Sequence, residues 1–288
     1  MRAPTNTLTV TPYQRRDRHA VRDLLFRSYR THTHLDWQDT DQWLEDGEGY
    51  PTRLAWQGTR LQGILAISAP LNGTCWVRLA SVGDHADAQA ILKLLWDDLL
   101  VEMQVHGVRT VALLLIRNWI STYAASLGFT FAEEIITFRR AELSIPKEEF
   151  PAGLSIRLTQ NDDLAEILKV DNRAFSAPWQ MDGEELRQAH RISASSTVAE
   201  MNGKLVGYEI STLYFDGAHL ARLAVAPEVQ GGGVARAILI DTLRRFERRG
   251  VRSMTVNTQA GNERSQRLYT GFGFERTGYD LPVWMVKL

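Results

Sequence analysis

Leu223-Ala-Val-Ala-Pro-Glu-Val-Gln-Gly-Gly-Gly-Val-Ala235 is the stretch on which the fold turns. An apolar strand runs into Pro227, whose ring removes a backbone donor and ends the ladder. Gly231, Gly232 and Gly233 follow, and a helical pattern begins at Val234. Without Cβ atoms, successive glycine N–H groups turn toward one point unhindered. The helix behind them adds its own unpaired N–H groups and the positive end of its dipole. Such a strand–loop–helix is a seat for an anion, a phosphate or pyrophosphate.

Two common phosphate loops do not fit. No Gly-Lys-Ser/Thr run follows Gly233, and the dinucleotide pattern Gly-x-Gly-x-x-Gly, begun at Gly231 and Gly233, meets Arg236 in third place. The run Gln230-x-x-Gly233-x-Ala235 instead resembles the Gln/Arg-x-x-Gly-x-Gly/Ala signature of the GNAT superfamily of acyl-CoA-dependent N-acetyltransferases. Downstream, Asn262-x-x-Ser265-x-x-Leu268-Tyr269-x-x-x-Gly273-Phe274 resembles that family's second signature. Both motifs stand in the family's order and spacing, and the resemblance covers residues 153–288.

The chain of 288 residues is long for one compact domain and natural for two. With 44% hydrophobic and 23% charged residues it has the composition of a soluble globular protein. A net charge of −1 gives no general attraction to nucleic acid or to an anionic membrane. Arg244, Arg245, Arg248, Arg249 and Arg252 cluster, but Glu247 is interleaved and Leu243 and Phe246 fill the other face, the pattern of a solvated helix surface. Cys75 is the sole cysteine, so an intrachain disulfide is impossible and a reducing cytoplasm is expected. The first residues carry Arg2, Pro4, Arg15 and Arg16 rather than the apolar core of a signal peptide. The longest apolar run, Val111–Ile116, is a buried strand in length and not a membrane span.

One segment has linker composition, Ser144-Ile-Pro-Lys-Glu-Glu-Phe-Pro-Ala-Gly153, where Pro146 and Pro151 block regular structure. On either side of it the same pattern is written twice. First strands fall at 8–10 and 154–157, helices at 18–29 and 162–175, and hairpins at 52–56 with 61–68 and at 196–201 with 205–213. Asn202-Gly203 is a tight-turn signal, with Gln57-Gly58 as its weaker counterpart. Apolar strands at 76–81 and 219–226 lead into amphipathic helices at 86–106 and 234–249. Strands at 108–115 and 252–257 and short helices at 121–127 and 263–269 complete each copy. Gly128-Phe129 and Gly273-Phe274, 145 residues apart, each open a terminal strand. The expected fold class is α/β (α+β): two tandem GNAT-like domains, 1–145 and 153–288, each a mixed and mostly antiparallel sheet flanked by helices.

The copies are unequal. Where the second has its glycine loop, the first has Val82-Gly-Asp-His-Ala-Asp87, and Asp84 and Asp87 would meet a pyrophosphate with like charge. Counting back from Gly128, Ala124 stands at the place of Tyr269, with Tyr123 one residue out of register. The first domain is therefore expected to have lost acyl-CoA binding and to brace the second or wall its cleft.

Acyl transfer from a thioester to an amine needs a fixed donor, a neutral amine, a polarised carbonyl and a proton for the departing thiolate. The resemblance implies acetyl-CoA as donor, direct attack in one site, no nucleophilic cysteine or serine, and no metal. It implies that the backbone of Gly231, Gly232, Gly233, Val234 and Ala235, introduced by Gln230, holds the pyrophosphate. Leu223, Ala224 and Val225 would run beside the pantetheine arm where the sheet splays, and a main-chain N–H near Val225 would polarise the carbonyl. Asn262 would hydrogen-bond the arm next to the second short helix, which also carries Ser265. Tyr269 is the candidate general acid, a phenol of pKa near 10 facing a thiolate of about 8.5. His219 occupies the place where many relatives carry a basic glutamate, and an imidazole near 6.5 can accept the amine's proton. Asn257, at another family position for an acid, cannot act as a base.

The acceptor stays open. Phe175-Ser-Ala-Pro178-Trp179 resembles a stretch of ribosomal-protein N-terminal acetyltransferases, which implies a peptide α-amine, and also has the composition of a structural corner. The tandem arrangement is similar to that of mycothiol synthases, which implies a small aminosugar-cysteine amine. The expected partner is thus a small-molecule amine or a peptide N-terminus, acted on by a cytoplasmic monomer or homodimer. The alternative function is a non-catalytic acyl-CoA-binding regulator or scaffold.

Overall fold

The computed structural model describes residues 7–141, 145–146 and 150–288, so Ser144 and Lys147–Glu149 of the expected linker lie outside the described residues. The chain forms two compact units, Met1–Glu133 with Leu281–Leu288, and Glu134–Asp280.

The first unit runs β1 (Leu8–Pro12), α1 (Arg18–Arg27), β2 (Thr31–Thr33), α2 (Thr40–Asp46), β3 (Thr52–Gln57), β4 (Arg60–Ile67), β5 (Thr74–Val82), α3 (Ala88–Val105), β6 (Thr110–Leu114) and α4 (Asn118–Ala124). Strand β7 (Thr130–Ala141) begins there and carries the chain past the boundary at Glu134. The second unit continues with β8 (Leu154–Leu158), α5 (Leu164–Ala174), α6 (Gly183–Ile192), β9 (Ser195–Met201), β10 (Lys204–Tyr214), β11 (Gly217–Val225), α7 (Val234–Arg248), β12 (Ser253–Gln259), α8 (Glu263–Gly271) and β13 (Glu275–Arg276). Last comes β14 (Leu281–Lys287), which belongs to the first unit.

In the first unit the strand order is β1-β3-β4-β5-β6-β14, antiparallel except for β5 beside β6, with β2 on β5. In the second it is β8-β9-β10-β11-β12-β7, antiparallel except for β11 beside β12, with β13 on β7. Both are mixed, mostly antiparallel sheets flanked by helices. The division departs from the expected 1–145 and 153–288 at both ends. The strand opened by Gly273-Phe274 is only two residues long. The strand that closes the first sheet is β14, pairing Val283–Lys287 with Leu114–Thr110, while Ile135–Ala141 of β7 closes the second against Gln259–Ser253. Alternating side chains show which residues form a strand; they do not show which neighbour completes its ladder.

Local chemistry explains the rest. Asn202 and Gly203 both take positive φ, 52° and 76°, the requirement of a tight hairpin turn. Asp182 caps α6 by accepting from the N–H groups of Glu184 and Glu185, both at 2.8 Å. Helix α3 lays Leu92, Leu95 and Leu99 against Leu65, Val77 and Val111. Helix α7 lays Leu239, Ile240 and Leu243 against Leu220 and Val256, and Ile238 against Ala199 and Val206. Each such side chain contributes about 1.5–3 kcal/mol by leaving water. Among the described residues no helix is long and apolar enough to cross a membrane.

Candidate active site

The site is an opening in the second sheet. Strand β11 pairs with β10 along its whole length, but with β12 only at Ala218–Leu220 against Met254–Val256. The register with β10 shifts between Ile210, opposite Arg222, and Ser211, opposite Leu220, so Ala221 is an extra residue. A bulge at this point bends and twists the strand, and beyond it β11 leaves β12. The Ala226 N–H donates to Val206 O at 2.8 Å, so by the alternation of an antiparallel ladder the main-chain groups of Arg222 and Ala224 also face β10. Those of Leu223 and Val225 face the open edge.

The loop at the end of β11 leaves donors unspent. Gly231 and Gly233 have φ of 86° and 83°, where a side chain is strained, and a Cβ on Gly233 would press Pro151 Cγ at 3.3 Å. Gly233 caps α7 without any side-chain hydrogen bond. The Ala237 N–H donates to Gly233 O at 3.0 Å. The N–H groups of Gly233, Val234 and Ala235 have no backbone partner among the described residues, while that of Gly232 is bonded to Val229 O at 3.3 Å. Of the loop's glycine N–H groups, that of Gly232 is thus spent within the loop.

Gln230 braces this loop. Its Nε2 donates to Val225 O at 2.9 Å, and its Oε1 accepts from Arg264 of α8, which brings a guanidinium to the loop. Asn262 is the N-cap of α8, its Oδ1 accepting from Ser265 N–H at 3.1 Å. The Ser265 hydroxyl is hydrogen-bonded to Tyr269 one turn further on. Asn262 and Ser265 thus hold α8 and its tyrosine in place, a local task that the motif spacing alone does not reveal.

His219 stands where the two strands still touch, opposite Thr212 on β10 and Thr255 on β12. Its Nδ1 lies 2.8 Å from Thr255 Oγ1, and burial lowers its pKa, so the imidazole is neutral at pH 7. Tyr269 lies on the helix-packed side, 5% exposed, its ring 5.8 Å from Phe274 and 6.3 Å from Phe138. Burial raises the phenol well above its ordinary value and the Ser265 hydroxyl pulls it back in part, so the group is a hydrogen donor throughout the physiological range. Asn257 is exposed one residue past the last β11–β12 pair. Glu228 and Glu263 are surface carboxylates paired with Arg173 and Arg267. Among the described residues no group of three His, Cys, Asp or Glu side chains is placed to hold a metal ion.

Two residues that the sequence did not single out dominate the opposite side of the opening. Asp171 of α5 is fully buried and receives Arg222 Nε at 2.8 Å and Nη2 at 2.9 Å, together with the Tyr208 hydroxyl. Arg222 also donates to Trp179 O at 2.6 Å, and its guanidinium lies 3.9 Å from the centre of the Phe175 ring. The Met181 N–H completes the set on Asp171 at 3.2 Å. Phe175–Met181, including the cis Ala177–Pro178 bond, is thereby fastened to the first residue of β11 beyond the bulge. An arginine inside an apolar strand, Leu220-Ala-Arg222-Leu, was the available signal.

Residues 164–274 match the model of the Acetyltransferase (GNAT) family. Over 120 residues the chain is 28% identical to the ribosomal protein bS18-alanine N-acetyltransferase of Escherichia coli, covering 42% of this chain and 80% of that protein. Over 175 residues it is 28% identical to the mycothiol acetyltransferase of Frankia alni, 52% of each chain. A tandem GNAT protein from the clavulanic acid biosynthesis pathway shares the fold with a TM-score of 0.66 at 18% identity, over 98% of both chains. A probable N-acyltransferase from Enterococcus faecalis does so with a TM-score of 0.71 at 13% identity, over 97% of this chain and 72% of that one.

Proposed function

We propose that the second unit, whose residues 164–274 match the Acetyltransferase (GNAT) family, carries an acetyl-CoA-dependent N-acetyl transfer to the primary amine of a small molecule or a peptide. One observation carries this reading: the edge of β11 that opens at Leu223 and Val225 leads to the unpaired N–H groups at the start of α7. The arm of acetyl-CoA pairs with that edge and its pyrophosphate sits on the N–H groups of Gly233, Val234 and Ala235, with Arg264 beside them. The amine enters past Phe175–Met181.

The chemistry follows from the groups around the opening. The neutral amine attacks the thioester carbonyl, a C–N bond forms and the C–S bond breaks. The nitrogen's surplus proton passes to the neutral His219 imidazole, directly or through water. The Tyr269 hydroxyl donates a hydrogen bond to the departing sulfur, the thiolate is protonated from solvent, and solvent takes the proton from His219. Because its pKa is raised above that of a thiol, the phenol keeps its proton and stabilises the departing thiolate as a hydrogen-bond donor. Lowering of the His219 pKa keeps the base unprotonated, so turnover holds through neutral pH and falls only in acid.

Calorimetric titration with acetyl-CoA tests the donor site, with one site per chain expected. A panel of alanine-initiated peptides, cysteinyl amines and aminosugars, read by thiol release, then identifies the acceptor class. Tyr269→Phe should lower kcat by roughly 100-fold and leave acetyl-CoA affinity unchanged. Absence of binding to the folded chain, or full turnover by that variant, refutes the corresponding part of the reading.

A further inference from the structure

The first unit contains the same opening, and the chain itself fills it. Strand β5 runs parallel to β6 only at Thr74–Trp76 against Thr110–Ala112, and its register with β4 shifts at Arg78, between Leu79 opposite Ala66 and Val77 opposite Ile67. Up to this point it repeats β11 and β12. The Gly83 N–H donates to Gln62 O at 2.9 Å, so alternation turns Ser81 and Leu79 toward β4 and leaves the main chain of Ala80 and Val82 on the far edge. Those are the counterparts of Leu223 and Val225.

In the second unit no strand among the described residues pairs with that edge, where Val225 O accepts from Gln230 Nε2. In the first it is taken by β2, with Thr31, His32 and Thr33 opposite Ser81, Ala80 and Leu79. The Val82 N–H donates to Arg30 O at 3.0 Å and the His34 N–H donates to Arg78 O at 2.8 Å, so the ladder extends past the strand at both ends. The His32 side chain is wholly buried. The segment is also clamped behind the strand, where Asp36 receives Arg78 and His34, the latter at 2.8 Å.

The helix terminus is filled as well. Asp87 caps α3, its Oδ1 accepting from Ala90 N–H at 3.1 Å. Asp84 accepts from the Tyr29 N–H at 3.1 Å and the Ser28 hydroxyl at 3.2 Å, tying the loop to the residues that lead into β2. Where α7 offers donors, α3 presents carboxylates.

We propose that the first unit is a donor site occupied by its own chain: Thr31–Thr33 takes the edge that an acyl-CoA arm takes in the second unit, and Asp87 takes the helix N-terminus that receives its phosphates. Main-chain pairing with a sheet edge is the same interaction whether a ligand or a strand supplies it, and an open edge not reserved for a ligand is a liability that β2 removes. The inference rests on the functional reading only for what occupies the second unit.

Amide hydrogen exchange on the full chain, resolved to short peptides, tests it. Without ligand, the Ala80 and Val82 amides should exchange roughly 100-fold more slowly than those of Leu223 and Val225. With acetyl-CoA, protection should appear at Leu223–Val225 and Gly233–Ala235, and 79–87 should not change. Equal exchange of the two edges in the free protein, protection of 79–87 by acetyl-CoA, or two binding sites per chain would overturn the proposal. If acetyl-CoA protects neither unit, the functional reading fails, and the contrast between the free edges still decides this one.

Discussion

In each unit a strand runs beside its parallel neighbour for three residue pairs, meets a bulge and departs: Thr74–Trp76 beside Thr110–Ala112, Ala218–Leu220 beside Met254–Val256. An arginine at the point of departure grips an aspartate, Arg78 with Asp36 and Arg222 with Asp171. At the middle pair the first unit has Cys75, a buried thiol pushed up to about 12 by desolvation, and the second has His219 with its lowered pKa. The first opening holds three residues of its own chain; no strand among the described residues fills the second. The comparison teaches that a slot in a sheet is a geometric device any copy of this fold can inherit. Whether it binds depends on which backbone groups the chain leaves unsatisfied.

The arginines give the largest test of this parallel. Arg222→Met leaves Asp171, which is fully buried, with only the Tyr208 hydroxyl and Met181 N–H, and should cost about 3–5 kcal/mol in denaturant unfolding. Arg78→Met should cost distinctly less, because the Asp36 side chain is 33% exposed and keeps His34. Equal losses would break the claim that the second unit's anchor is the more deeply committed one.

Acid should act on the filled opening next. Burial, and then the neighbouring His34, push His32 down to about 4, opposed in part by the Val77 main chain. The folded pKa lies below the ordinary 6.5, so the unfolded chain binds the proton first as pH falls. The associated stability is full above about 6.5 and lost toward pH 4, on the order of 3 kcal/mol in all. His32→Leu should flatten that part of the pH–stability curve, while His219→Leu should alter it less, since that ring is only partly buried.

The smallest effect is the most diagnostic. Asp87→Ala removes the cap of α3 and should destabilise by about 1 kcal/mol. Acetyl-CoA titration of this variant should still give one site, because β2 holds the edge without it. A second site would show that the carboxylate, not the strand, closes the first unit.

Much of this was legible in one dimension. The glycine stretch announced its positive-φ turn and Asn202-Gly203 its hairpin, because each depends on residues adjacent in the chain. His219 and Tyr269 were located by spacing within two motifs. Asp171 was passed over because its partner lies 51 residues away on another element. Strand β2 was invisible for a different reason: three residues are too few to show a period of two.

The sequence by itself determined two copies of one α/β pattern, a glycine loop before a helix in the second, and a tyrosine and histidine at fixed distances from it, since propensity, alternation and capping are local. The tertiary structure alone decided which strand completes each sheet, which edge is covered and which is open, and which charges are buried together. Hydrogen-bond partners across a ladder are chosen in space, and β14 closing the first sheet while β7 closes the second is a choice that no window of residues records.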